Sequence, residues 1–367
     1  MSRHNHVSIP SWTWAVPLAA SAFLALKLAD IIPSDATPVL ILAAILLGAA
    51  VFASVHHAEA LALKLGEPFG SILLAVAVTV IEVALIVSIM LTGVAGSDAV
   101  ARDTVYATVM IVLNGVVGLC LVMGGTRHFE QTFQLQGASS ALAVLGTLAA
   151  LTLILPNHTL AAAGPYFSAA QILLIGAASL LLWCVFVFVQ TVKHRDYFLD
   201  VSVEEAGAEA PPETPSNKMA LVCLGLLLVS LATVVLLAKA LSYPLDMGIA
   251  AAGLPPAFAG VVIAAIVLLP EGMAAAKSAI KNRLQNSINL ALGSAIASIG
   301  LTIPTVAIVS LILDRDLVLG ASPANITLLV LTLFVSTLTL GTGRTTVLHG
   351  AIHLVIFAVF LMVSAIP

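Results

Sequence analysis

Charge is what this sequence has least of. Asp, Glu, Lys and Arg make up 9% of its 367 residues, where soluble domains carry about 25%. That scarcity excludes a soluble domain of useful size. The net charge of −4 is small and gives no sign of a nucleic-acid partner. Cysteine is scarce too. Cys120, Cys184 and Cys223 each lie in an apolar run, without metal-ligand spacing, and read as small buried hydrophobes. No HExxH-type motif occurs, and no cleavable signal peptide is evident. The opening MSRHNHVSIPSW leads into an apolar run long enough to remain as a helix.

What the chain does have is hydrocarbon: 60% of it is hydrophobic and its mean hydropathy is +1.14. At 1.5 Å per residue, about 20 apolar residues cross the roughly 30 Å core of a bilayer. Eleven runs qualify, at 12–32, 39–55, 70–92, 104–124, 138–155, 167–190, 219–241, 256–276, 286–313, 323–340 and 345–366. The composition predicts an all-α polytopic membrane protein whose first partner is the lipid bilayer. The run HHAEALALKLGEP (56–68) alternates polar and apolar in helical fashion and is expected to lie in the membrane interface.

The one long polar segment, 191–218, carries Asp196, Asp200, Glu204, Glu205, Glu209 and Glu213, with Pro211, Pro212 and Pro215 among and behind them. It reads as a flexible acidic linker. With the N-terminus in the cytoplasm, Arg3, Lys64, Arg127, Lys193, Arg195, Lys218, Lys277, Lys281, Arg283 and Arg344 fall inside, and Lys27, Arg102, Lys239 and Arg315 outside. Ten basic residues against four satisfy the positive-inside rule. The linker is then cytoplasmic and the C-terminus outside. Setting the first span aside leaves five spans on each side of the linker. An odd number per unit makes the second unit enter the membrane from the opposite side, which is the arithmetic of an inverted-topology transporter. The expected organisation is an extra N-terminal helix (1–36), a five-helix repeat (37–190), the linker (191–218) and a second five-helix repeat (219–367).

Two glutamates stand alone in this hydrocarbon. Glu82 lies in SILLAVAVTVIEVALIVSIML, and Glu271 in GVVIAAIVLLPEGMAAA; neither run carries another charge. An ionised carboxylate near the bilayer centre costs at least about 2.5–3.5 kcal/mol. Such a group is a functional candidate, and both fall in the second helix of their repeat. A carboxylate there can hold a proton or ligate a cation, and competition between the two at one group is the basis of antiport. Thr79 sits one turn before Glu82. Pro270 precedes Glu271 and Gly272 follows it, so the helix is expected to break or bend, freeing carbonyls for a hard cation. The next span is rich in small residues. Ser294, Ser298 and Thr302 share one helical face, with Asn289, Gly293, Ala297 and Gly300 on or near it. Asn289-x-x-x-Gly293 echoes Asn114-x-x-x-Gly118 in the first half. Packing suits these small residues as well as a role in the site does. His349 and His353 at i, i+4, and His56 and His57 beside Glu59, could bind zinc, but neither pair brings a third ligand.

At these residues the chain resembles the cation/calcium exchangers, and within them the ChaA branch of calcium/proton and sodium(potassium)/proton antiporters. The resemblance rests on LALKLGEPFGSILLAVAVTVIEVALI, on LLPEGMAAAKSAIKNRLQNSINLALGSAIASIGLTIP and on GTGRTTVLHGAIHL. It implies an inverted repeat of five helices with an extra N-terminal helix, alternating access at a mid-membrane site, and Glu82 and Glu271 as the essential carboxylates. It also implies that Gly293 and Ser294 line the site, that the transported cation and protons are the only ligands, with no cofactor, and that the bacterial inner membrane is the location. The first helix is expected to be a bystander. Two departures bear on the ion. Val78-Thr79 and Val267-Leu268 stand where many relatives have Gly-Asn, and Ala297 where a glutamine often follows Gly-Ser. The site is therefore poorer in amide oxygens than a typical calcium exchanger. A passive cation channel and an intramembrane metallo-enzyme built on His349 and His353 are the competing classes.

Overall fold

The structure, a computed structural model, describes residues 10–29, 31–32, 36–66, 69–93, 96–199 and 214–367. Asp200, Glu204, Glu205, Glu209 and Glu213 of the acidic linker lie outside the described residues. Eleven helices among them are long and apolar enough to cross a membrane: α1 (Ser11–Leu28), α2 (Thr37–Leu65), α3 (Phe69–Met90), α4 (Val100–His128), α5 (Leu135–His158), α6 (Ala169–Lys193), α7 (Asn217–Ala251), α8 (Phe258–Ile280), α9 (Leu284–Ile312), α10 (Pro323–Leu340) and α11 (Val347–Ala365). A chain in hydrocarbon must satisfy its backbone groups within each segment, so helices are the economical solution. Their starts are written locally. Ser168 and Gln171 form a capping box ahead of α6, Ser322 caps α10 with Pro323 in its first turn, and Thr346 with His349 caps α11.

Three elements differ from the sequence expectation. The polar–apolar run after His56 is no separate interfacial helix, because α2 continues without a break to Leu65. Helix α8 also runs unbroken through Pro270. Proline withholds one N–H, which would have reached the carbonyl of Ile266, and membrane helices tolerate that single loss. Helix α4 instead widens into a π-helical turn over Ile111–Val116, a span with no proline.

The helices group into two compact units, Met1–Thr92 with Glu209–Met247, and Gly93–Ala208 with Gly248–Pro367. The first unit holds α1, α2, α3 and most of α7. Gly66, at φ 69°, turns the chain from α2 towards α3, and a Cβ at Gly70 would lie 2.5 Å from the Ala62 carbonyl oxygen. Ala58 and Leu61 of α2, Ala77 of α3, and Cys223 and Leu227 of α7 form a shared apolar core. Helix α1 is built into this unit. His57 Nε2 of α2 donates to the Thr13 carbonyl at 2.9 Å, Trp12 and His56 rings lie 5.9 Å apart, and the hydroxyls of Ser21 and Thr233 meet at 2.7 Å.

The second unit is assembled on close helix crossings over glycine. A Cβ at Gly260 of α8 would lie 2.5 Å from the Asp103 carbonyl carbon of α4. One at Gly118 of α4 would lie 2.9 Å from the His353 Cβ of α11, and one at Gly300 of α9 would lie 2.6 Å from the Trp183 Cβ of α6. A short antiparallel pair, β1 (Glu130–Thr132) and β2 (Arg344–Thr346), ties the loop after α4 to the entry of α11, with Gln131 opposite Thr345. The buried Gln131 amide fills the space over Gly124 and donates to the Ala279 carbonyl and to Asn282 Oδ1, both at 3.0 Å.

Candidate cation site

Glu82 sits in α3 of the first unit with 1% of its surface exposed, and Thr79, one turn away, is buried beside it in sequence. The helix is apolar over its whole circumference, so it forms wherever it is buried in lipid or protein. Its carboxylate is enclosed by the fold and does not look out on water. Glu271 occupies the equivalent kind of position in α8 of the second unit, at 8% exposure. Pro270 is half-buried beside it, and a Cβ on Gly272 would reach Val116 Cγ2 of the π-helical turn at 3.2 Å. The Glu271 turn thus lies against the widened part of α4.

The small-residue face of α9 divides into two kinds of position. Gly300 is closed by Trp183, so its smallness serves packing. Gly293 is different: a Cβ there would meet nothing within 4 Å, and Gly293 and Ser294 are only half-buried. Ser298 is buried at 6% exposure, and the buried Thr302 hydroxyl on the same face has no hydrogen-bond partner among the described residues. Open space beside Gly293, next to hydroxyl-bearing positions, is what a small ion would need. Asn289 has both ends of its amide engaged. Its Oδ1 accepts from Gln285 Nε2 at 2.8 Å, and its Nδ2 donates to the Phe198 carbonyl at 2.6 Å, anchoring the turn that enters the linker.

Asn114 does something unlike Asn289 despite the shared spacing. It is fully buried in the π-helical turn, where its Nδ2 donates to Thr332 Oγ1 of α10 at 2.9 Å and its Oδ1 meets His353 Nδ1 of α11 at 3.0 Å. His353 Nε2 lies 3.2 Å from Thr339 Oγ1. The sequence flagged His353 only as half of a weak zinc pair with His349, and no group of three or more His, Cys, Asp or Glu suited to a metal occurs among the described residues. Sequence reading missed Asp103 altogether. It is buried in the first turn of α4, and its Oδ1 is held by Arg102 Nη2 at 2.7 Å and Arg102 Nε at 2.8 Å. A marginal signal existed: an Arg-Asp pair at the edge of an apolar run is charge adjacent to hydrocarbon.

Against known proteins, the sodium/calcium exchanger protein family matches residues 36–192 and 222–366, one stretch on each side of the linker. The Sinorhizobium fredii protein y4hA is 58% identical over 359 residues, covering 98% of this chain and 97% of that one. The sodium-potassium/proton antiporter ChaA of Escherichia coli is 34% identical over 312 residues, 85% of this chain and 84% of its own. Among solved structures, native YfkE superposes with a TM-score of 0.74 at 16% identity over 97% of this chain and 100% of that one. The H+/Ca2+ exchanger CAX superposes with a TM-score of 0.67 at 15% identity, over 96% and 89%. The eleven-helix fold is therefore the fold of these exchangers. By sequence and fold together, this multi-pass membrane protein belongs to the sodium/calcium exchanger family, whose members are cation antiporters and not enzymes.

Proposed function

We propose that this protein exchanges a cation for protons across the bacterial inner membrane, by alternating access at a site built on Glu82 and Glu271. One observation carries the reading: each carboxylate is buried, at 1% and 8% exposure, within a helix that crosses the bilayer and has no other charge at that depth. A buried carboxylate must be compensated by a proton or a cation, and a group that alternates between them couples their movements. Thr79, Pro270, Gly293, Ser294 and Ser298 are the neighbouring groups assigned to the site, with Asn289 behind them holding the linker entry. The two family-matched stretches, 36–192 and 222–366, support a reading as two repeats; five spans in each and the excess of basic residues on one side support opposite topology around a cytoplasmic linker, with the N-terminus inside and the C-terminus outside.

Calcium, sodium and potassium are the candidate ions. The similarity to a sodium-potassium/proton antiporter at 34% identity, and to a Ca2+/H+ antiporter of Aphanothece halophytica at 24%, keeps all three in play. Val78-Thr79, Val267-Leu268 and Ala297 leave few amide oxygens near the carboxylates. Calcium takes 6–8 oxygens in general, so this poverty favours ions content with fewer protein ligands. The test is proton flux in liposomes driven by each cation in turn, for wild type, Glu82→Gln and Glu271→Gln. Both variants should insert normally and lose exchange. Full cation-dependent proton flux in either would sink the paired-carboxylate site, and cation flux without proton movement in wild type would point to a channel.

A further inference from the structure

We propose that His353 is a further proton-binding group of this transporter, besides the two carboxylates, reached from the membrane face through His349. The inference rests on the proton antiport proposed above and adds a group to it. A titratable side chain inside a membrane-spanning helix is a functional candidate by default, and His353 is 1% exposed in the middle of the second unit.

The hydrogen bonds around it fix where a proton would go. The Asn114 amide nitrogen has Thr332 Oγ1 at 2.9 Å and Met110 Sδ at 3.9 Å, and Asn114 Oδ1 lies 3.0 Å from the imidazole. An amide oxygen only accepts, so in this arrangement His353 Nδ1 carries a hydrogen. Nε2 is then the atom that gains and loses a proton, and its neighbour is the Thr339 hydroxyl at 3.2 Å. A hydroxyl both donates and accepts. With a neutral ring, Thr339 donates to Nε2. With a protonated ring, Nε2 donates to the hydroxyl oxygen. The Nε2–Oγ1 contact is thus kept in both charge states, with the hydroxyl hydrogen reversing its direction. Thr339 is also the second-last residue of α10, so the imidazole stands at a helix C-terminus, whose partial negative charge compensates a cation.

His349 supplies the outer step. It is half-buried in the first turn of α11, one turn from His353, and roughly 6 Å along the axis. Its Nδ1 accepts from the Thr346 N–H at 3.3 Å, leaving Nε2 to exchange with water. The other titratable or charged groups on elements packed against α11 are Arg102, Asp103, Cys120, Arg127 and His128 on α4, with Tyr106 edge-on to Phe360 at 5.6 Å, Glu271 and Lys277 on α8, and Arg344 on β2; α10 carries none.

The test is cation-driven proton flux in liposomes between about pH 5 and about pH 8, the range in which imidazoles exchange protons, for wild type, His353→Gln, Thr339→Val and His349→Gln. His353→Gln should lower the maximal rate by roughly tenfold or more, as loss of a positioned proton carrier does, and flatten one limb of the pH profile. The cation KM should stay unchanged, because the carboxylates are intact. Thr339→Val, which keeps the side-chain volume, should displace the same limb, and His349→Gln should slow exchange without altering KM. A merely structural histidine would not move the pH profile. Superimposable profiles and rates for His353→Gln and Thr339→Val overturn the proposal. If His353→Gln fails to assemble, Thr339→Val alone decides it. Absence of coupled proton flux in wild type would overturn the antiport reading itself, a result distinct from normal antiport that the variants leave unchanged.

Discussion

The Asn114–Thr332 hydrogen bond should be energetically coupled, and its strength can be worked from the structure. Both side chains are fully buried, and Nδ2 lies 2.9 Å from Oγ1. Thr332→Val removes the hydroxyl at nearly constant volume. It breaks one bond, whose coupling inside membranes averages about 0.6 and reaches at most about 1.7 kcal/mol, and leaves the Asn114 amide nitrogen with only Met110 Sδ at 3.9 Å. The single variant should therefore lose about 1–3 kcal/mol, the lost bond included. Asn114→Leu removes both ends of the amide, so it also strips His353 of its Nδ1 partner and should cost at least as much. In the double variant no amide hydrogen remains to be orphaned by the missing hydroxyl. Its loss should fall short of the sum of the singles by about 0.6 to about 1.7 kcal/mol. Equilibrium unfolding of the four proteins in mixed micelles measures the cycle. Additivity within about 0.5 kcal/mol would refute the reasoning and mean that water or a relaxed backbone satisfies the amide.

Two glycines should behave in opposite ways. Gly260→Leu drives a side chain into the backbone of Asp103 and Thr104, and should cost about 3 kcal/mol or more, seen as a collapse in the yield of monodisperse protein. Gly293→Ala meets nothing within 4 Å and should leave stability unchanged or raise it by up to about 1 kcal/mol. It should nonetheless slow cation exchange if the open space is part of the ion's route; a marked loss of stability would show that the space is not open. Arg344→Ala breaks a 3.4 Å ion pair with Glu130 in which the side chains are 70% and 48% exposed. It should change stability by about 0–1 kcal/mol, within the error of a thermal-shift measurement on so large a protein.

Much of the architecture was legible because hydrocarbon is an unforgiving solvent. A helix in lipid needs about 20 apolar residues and tolerates few charges, so run length located all eleven helices, with most ends within about four residues and the second and seventh helices running well past the expected ends at Val55 and Leu241. The same intolerance made Glu82 and Glu271 visible as lone carboxylates. Local rules failed where several outcomes satisfied them. Pro270 with Gly272 pointed to a break or bend, yet α8 runs through it without a break, packed against α4 and its neighbours. Asn114 and Asn289 share a motif with the glycine four residues on, yet one amide binds two buried helices and the other holds the Phe198 carbonyl. Nothing within five residues of either distinguishes those fates.

By itself, the sequence determined the solvent, the number of helices and the two carboxylates, since each follows from the cost of polar groups in hydrocarbon, a property of the segment alone. Tertiary structure decided which polar side chains meet. His353 and Asn114 are 239 residues apart, and their bond exists only because Gly118 lets α11 approach α4 closely enough. It also decided which small residues leave room and which are filled: Gly293 is open and Gly300 is closed by Trp183. Those outcomes depend on what the neighbouring helix presents, and a single segment holds no record of its neighbour.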